Sequence, residues 1–190
     1  MATKKESCTD CRMSRFCGVR SAYNNVRGWG NPDARLIIVL DAPGHHLAEK
    51  LLVWSLKRLS LTADDVWVDY LWYCALPKQL KKKELAITHK ICWTSHPRSW
   101  GDATDKVIVL AGNWSADFLV NAKMKDWHGK KEPDSDVWII YQFLYLLMNP
   151  AELKDTSCVL WKAAEEAGLT PKFVLDIEPF RFPSKKLAAS

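Results

Sequence analysis

Four short runs of aliphatic and β-branched residues, each broken by turn-forming residues and followed by a helix-like stretch, constrain this chain most tightly. The first, 35–40 (RLIIVL), follows Asn31-Pro32-Asp33 and stops at Asp41-Ala42-Pro43-Gly44. A run without polar alternation is the mark of a strand covered on both faces, as in a parallel sheet. The segment 46–59, with Leu47, Leu51, Trp54 and Leu56 at helical spacing, predicts a helix behind it. The pattern recurs at 66–72 with a lysine-rich helix over 78–93, and at 106–111 with a helix over 114–122. A fourth apolar run, 137–147, ends at Asn149-Pro150, and 150–168 predicts a last helix stopped by Gly168. Alternation of this kind predicts an α/β fold, a three-layer α/β/α sandwich around a mainly parallel four-stranded sheet. A polar, basic arm (1–30) precedes the domain (31–178), and the last twenty residues predict a short strand and a loose tail (179–190).

The chain has 190 residues, enough to bury a core without covalent staples. No apolar run is long enough to span a bilayer, and Met-Ala-Thr-Lys-Lys-Glu-Ser-Cys has no apolar segment after its lysines. The expectation is a cytoplasmic protein with no membrane partner. A net charge of +5 permits nucleic-acid binding without indicating it. The ten tryptophans read mainly as core filler.

In parallel sheets, ligands bind beyond the carboxyl ends of the strands, where helix N-termini offer free N–H groups. Asp41, closing the first strand, is the leading candidate for a reactive carboxylate; its alternative role is a helix N-cap. His45 and His46 share its loop, and Asn149 before Pro150 is by itself an ordinary helix start. Cys8, Cys11, Cys74 and Cys92 read C-x2-C-x62-C-x17-C. Four thiolates hold a tetrahedral zinc or a [4Fe–4S] cluster, and such a centre would tie the arm to the body. The alternative is a set of unrelated buried thiols. Cys17 could substitute as a ligand, and Cys158, beside Val159 and Leu160, reads as core.

Taken in order, these pieces resemble the uracil-DNA glycosylase superfamily, specifically its iron–sulfur (family 4) branch. The resemblance rests on Cys8 and Cys11, on Gly28-Trp29-Gly30-Asn31 before the first strand, and on Asp41-Ala42-Pro43-Gly44 after it. It continues through Cys74, Cys92, Leu110-Ala111-Gly112-Asn113, Trp127-His128-Gly129 and Asn149-Pro150-Ala151. What it implies is a [4Fe–4S] cluster on Cys8, Cys11, Cys74 and Cys92, with zinc the alternative. It implies DNA as partner and Asp41 and Asn149 as the catalytic pair. The base pocket would be Ala42, Gly44, His45 and Tyr70, and the phosphate contacts Lys82, Arg98, His128 and Lys130. Departures accompany it: Asp41 replaces a glutamate, Tyr70 falls where the family reads the base with an asparagine, and Asn149 replaces a histidine. The resemblance therefore implies N-glycosidic hydrolysis altered in specificity or lost. The alternative is an inactive DNA-binding or accessory subunit of a replication or repair assembly, of a kind that bacterial viruses carry. A zinc-stapled protein with no DNA role is the more distant reading.

Overall fold

The computed structural model describes residues 26–76, 80–98, 100, 104–133 and 135–182. Cys8, Cys11 and Cys17 of the arm, Lys78, and the last eight residues lie outside them. The fold is α/β, with a mixed sheet of six strands in the order β1-β3-β2-β4-β6-β5. Four strands run parallel: β2 (Leu36–Leu40), β3 (Val66–Tyr70), β4 (Val107–Ala111) and β6 (Val137–Ile140). Two further strands of two residues each, β1 (Trp29–Gly30) and β5 (Lys130–Lys131), add antiparallel edges that the four-strand expectation lacks. At β1 the arm approaches the sheet closely: Gly30 has φ +102°, and a Cβ there would lie 2.2 Å from the Val66 carbonyl oxygen. Only glycine fits that edge.

Among the described residues, six α-helices connect and cover the strands: α1 (His46–Arg58), α2 (Lys82–Ser95), α3 (Asn113–Val120), α4 (Met124–Trp127), α5 (Phe143–Met148) and α6 (Leu153–Glu166). Alternation along β2 sets the layers. Leu36, Ile38 and Leu40 pack with Leu51, Leu52 and Leu56 of α1, Leu146 of α5 and Leu160 of α6. Ile37 and Val39 point the other way, into a cluster with Ala116 of α3 and Met124 of α4. All five β2 residues are buried, and each such aliphatic side chain contributes about 1.5–3 kcal/mol. Among the described residues, no helix is long and apolar enough to cross a membrane.

Three sequence expectations are corrected. The run 137–147 is not one strand: it leaves the sheet after Ile140 and turns through Tyr141 and Gln142 into α5. Its apolar residues serve a buried strand and then a buried helix, so hydrophobicity alone hides the boundary. No strand forms among the described residues 171–182; that segment is tied to α1 instead, by Val174 N–H donating to the Arg58 carbonyl and Trp54 Nε1 to the Glu178 carbonyl, each at 2.9 Å. Cys158 is exposed rather than core.

The order of the sheet also locates a site. From β2 the chain moves outward to β3, then returns to place β4 on the other side of β2. Successive connections therefore diverge between β2 and β4, and a crevice opens at their carboxyl ends. Asp41 follows β2 there, and Gly112-Asn113 follows β4.

Candidate functional site at the carboxyl edge of the sheet

Asp41 is fixed from two directions. Its carbonyl accepts a hydrogen bond from Trp72 N–H at 3.0 Å, extending the β2–β3 pairing beyond both strands. Its carboxylate crosses to α3, where Oδ1 accepts from Ser115 N–H at 2.8 Å and Oδ2 lies 3.4 Å from Trp114 N. These donors are second and third in the helix, two of the groups that every helix N-terminus leaves without a partner. Gly112, at the N-cap, has no side chain to serve them, and Asp41 supplies the cap from another strand. The space is tight: a Cβ on Gly112 (φ +156°) would stand 2.3 Å from Asp41 Cγ.

Burial dominates the ionisation of Asp41, lifting its pKa from 3.8 to about 6 against the opposing pull of the Ser115 and Trp114 hydrogen bonds. A carboxyl whose folded pKa is raised binds its proton more tightly in the folded state. Its contribution to stability is thus full below about 3.8 and is lost as pH rises through about 6.

Asp41 forms part of the wall of a cleft of about 370 Å³, with Ala42, Gly44, His45 and Glu49 on one side and Asn113, Trp114 and Gln142 on the other. Asp41, Ala42, Gly44 and His45 are thus brought together as the sequence suggests. The buried His45 Nδ1 has no hydrogen-bond partner among the described residues. Tyr70 does not line the cleft; its ring is in the core and its hydroxyl donates to Glu49 Oε1 at 3.1 Å. Burial, then the Glu49 charge, pushes the Tyr70 phenol well above its usual range. Asn149 is also absent from the wall, its amide donating to the Tyr145 carbonyl at 3.1 Å to close α5. Glu49 is the carboxylate that sequence reasoning missed; its signal is an acid in the first turn after the Asp41 loop. Trp114 and Gln142 lie just beyond the ends of β4 and β6, and nothing in their sequence context marks them as cleft residues.

A second hollow, of about 590 Å³, shares Asn113, Trp114 and Gln142 with the cleft and is bordered by Lys82, Lys123, Lys125, Tyr141 and Tyr145. Lys82 pairs there with Asp117 at 2.7 Å. Lys130 lies outside it, its ammonium donating to the Asp126 carbonyl at 2.8 Å. His128 accepts the Tyr141 N–H on Nδ1 at 3.0 Å and stacks on the Tyr141 ring. Its neutral form therefore carries hydrogen on Nε2, 3.9 Å from Glu152, and burial lowers its pKa, against the pull of Glu152 and Asp155. His128 positions Tyr141 rather than presenting a cation to phosphate.

Arg98, expected at a phosphate, is buried. Its guanidinium donates to the His96, Tyr70 and Leu71 carbonyls, lies 3.6 Å from Asp69 and covers the Tyr73 ring. Asp69 also accepts from Trp100 Nε1 at 2.7 Å. This is a packed ion pair that holds the loops after β3 and α2. Arg98 Nη2 also stands 3.8 Å from Cys92 Sγ.

Cys74 and Cys92 are half-buried cysteines that border one apolar cluster of Leu71, Trp72 and Leu85. Among the described residues, no group of three or more His, Cys, Asp or Glu could hold a metal ion. The two thiols nonetheless fit half of a four-thiolate set. They share one neighbourhood, as two ligands of one centre must. No known family model matches the chain.

A double-mutant cycle tests the Asp41 cap. Gly112→Ala should destabilise the fold by about 2–4 kcal/mol in denaturant unfolding, from overpacking and backbone strain. Asp41→Ala should cost about 1–2 kcal/mol. The double variant should be more stable than the sum predicts by about 1 kcal/mol, because removing the carboxylate frees the space that the new methyl needs.

Proposed function

We propose that the chain is a divergent, uracil-DNA glycosylase-like iron–sulfur protein that binds DNA at the carboxyl edge of its sheet, with base excision altered in specificity or lost. The observation that carries this reading is the pair of adjoining hollows with opposite linings. One holds carboxylates and a histidine, the other lysines and aromatic rings, and they share the wall of Asn113, Trp114 and Gln142. A nucleotide divides chemically in the same way. Its phosphates suit the lysine side, and an extruded base with its sugar suits the carboxylate side, where no lysine would attract phosphate.

Hydrolysis of an N-glycosidic bond develops positive charge on the sugar and negative charge on the departing base. Asp41 would face the first, and N–H groups of the loop from Ala42 to His45 the second. The polar machinery is reduced, however. The Asp41 carboxylate is engaged by α3, and the Asn149 amide is turned to Tyr145. Loss of one donor to a developing oxyanion costs about 10²–10³ in rate. Binding survives such losses because phosphate contacts do not depend on them, which favours a binding or accessory role in replication or repair. A second reading, an active glycosylase, is favoured by the Asp41 pKa of about 6, suited to proton transfer near neutrality. In either case Cys8, Cys11, Cys74 and Cys92 would hold the cluster, whose contribution is structural, a cross-link between arm and body.

Fluorescence anisotropy with labelled oligonucleotides tests binding, and alkaline cleavage at abasic sites tests excision of uracil, hypoxanthine and hydroxymethyluracil. Affinity should fall with rising salt, and excision should be slow or absent. Fast excision abolished by Asp41→Asn would establish the enzyme instead, and failure to bind DNA would overturn both readings. Protein purified without oxygen should be brown, with about four irons and four sulfides per chain. Colourless protein with a single zinc would replace the cluster by a zinc site.

A further inference from the structure

Tyr141 and Tyr145 form a ladder with His128 beside the lysines. The His128 and Tyr141 rings stack with centroids 3.8 Å apart at 25°, and the Tyr141 and Tyr145 rings follow at 4.4 Å and 34°. Both tyrosines are only half-buried, and neither hydroxyl hydrogen-bonds among the described residues. The ladder is held from beneath, because His128 Nδ1 accepts the Tyr141 N–H, and Tyr145 lies on α5, whose Phe143, Leu146 and Leu147 are buried. Lys123 and Lys125 stand across the hollow as exposed residues for which no salt bridge is found among the described residues, whereas Lys82 neutralises Asp117. The hollow therefore carries net positive charge next to rigid, partly uncovered aromatic faces.

We infer that this hollow is a stacking subsite for bases of an unpaired DNA strand flanking the nucleotide at the Asp41 cleft, with Tyr145, the end ring of the ladder, as the platform, Tyr141 and His128 backing it, and Lys123 and Lys125 on the backbone. The inference rests on the DNA-binding reading and adds the form of the substrate. A paired duplex offers only phosphates and base edges to a narrow hollow, because its base faces are covered by stacking. An unpaired strand offers faces that can lie on a tyrosine ring while its phosphates meet the lysines. Aromatic platforms with a cationic flank suit single strands of any sequence, since every base has a π-face.

The test compares three labelled ligands of about a dozen nucleotides: oligothymidylate, a duplex, and an abasic strand with the same phosphates. Oligothymidylate should bind at least tenfold tighter than the abasic strand and tighter than the duplex. Tyr145→Ala should weaken oligothymidylate binding about tenfold without changing abasic-strand binding, and Tyr145→Trp should restore it. Lys125→Gln should weaken binding of both strands alike and flatten the salt dependence. Circular dichroism and melting of each variant verify folding, and Tyr145→Trp keeps the test open should Tyr145→Ala fail to fold. Equal affinity for the abasic strand and oligothymidylate, or a preference for the duplex, would overturn the stacking subsite while leaving DNA binding intact. Binding to none of the three would overturn the DNA-binding reading as well.

Discussion

The contact on which the site depends is the carboxylate of Asp41 against the first turn of α3. A strand end and a helix start separated by more than seventy residues are joined through one side chain. The Asp41 backbone meanwhile continues the pairing with the chain beyond β3. The floor of the cleft is therefore a junction of β2, β3 and α3, rather than a loop free to rearrange. A helix N-terminus attracts negative charge, and a buried carboxylate needs donors; each satisfies the other's requirement. Glycine at position 112 follows from that arrangement, because the carboxylate fills the space of a side chain there.

Around this junction the chemistry separates by side. Asp41, Glu49 and His45 occupy the cleft, whereas Lys82, Lys123 and Lys125 border the neighbouring hollow. Asn113, Trp114 and Gln142 belong to both, so one ligand can reach both environments. Beyond the ends of β3 and α2, the Asp69–Arg98 pair fixes the loops whose residues include Cys74 and border Cys92. Cys74 is followed directly by Ala75 and Leu76, which line the cleft. A cross-link at these thiols would thus bear on the shape of the cleft through the chain itself.

The four parallel strands were legible because each is a short aliphatic run with a polar or glycine break, the pattern that two-sided burial imposes. The end of the fourth was hidden, since α5 begins within the same apolar run and only Tyr141-Gln142 marks the change. Edge strands of two residues carry no periodicity to detect. Within the site, Asp41 and its loop could be found from position alone, but the helix that Asp41 caps could not, because that contact is long-range. Arg98 misleads for the same reason. A charged residue in the polar connection between a helix and a strand reads as exposed until Asp69, Tyr73 and three carbonyls are seen to surround it. The lysines of the segment 78–83 and of 123–131 read as one basic character, and only the fold separates Lys123 and Lys125, which border the hollow, from Lys130, which does not.

Titration of the Asp41 carboxyl carbon by NMR, with the Trp114 and Ser115 amides followed in the same samples, tests the central arrangement most directly. The account predicts a midpoint near pH 6 shared by all three signals, since ionisation is raised by burial and felt through the hydrogen bonds to α3. A midpoint near 3.8, with the two amides indifferent to it, would mean that Asp41 stands free in solvent and would contradict the account.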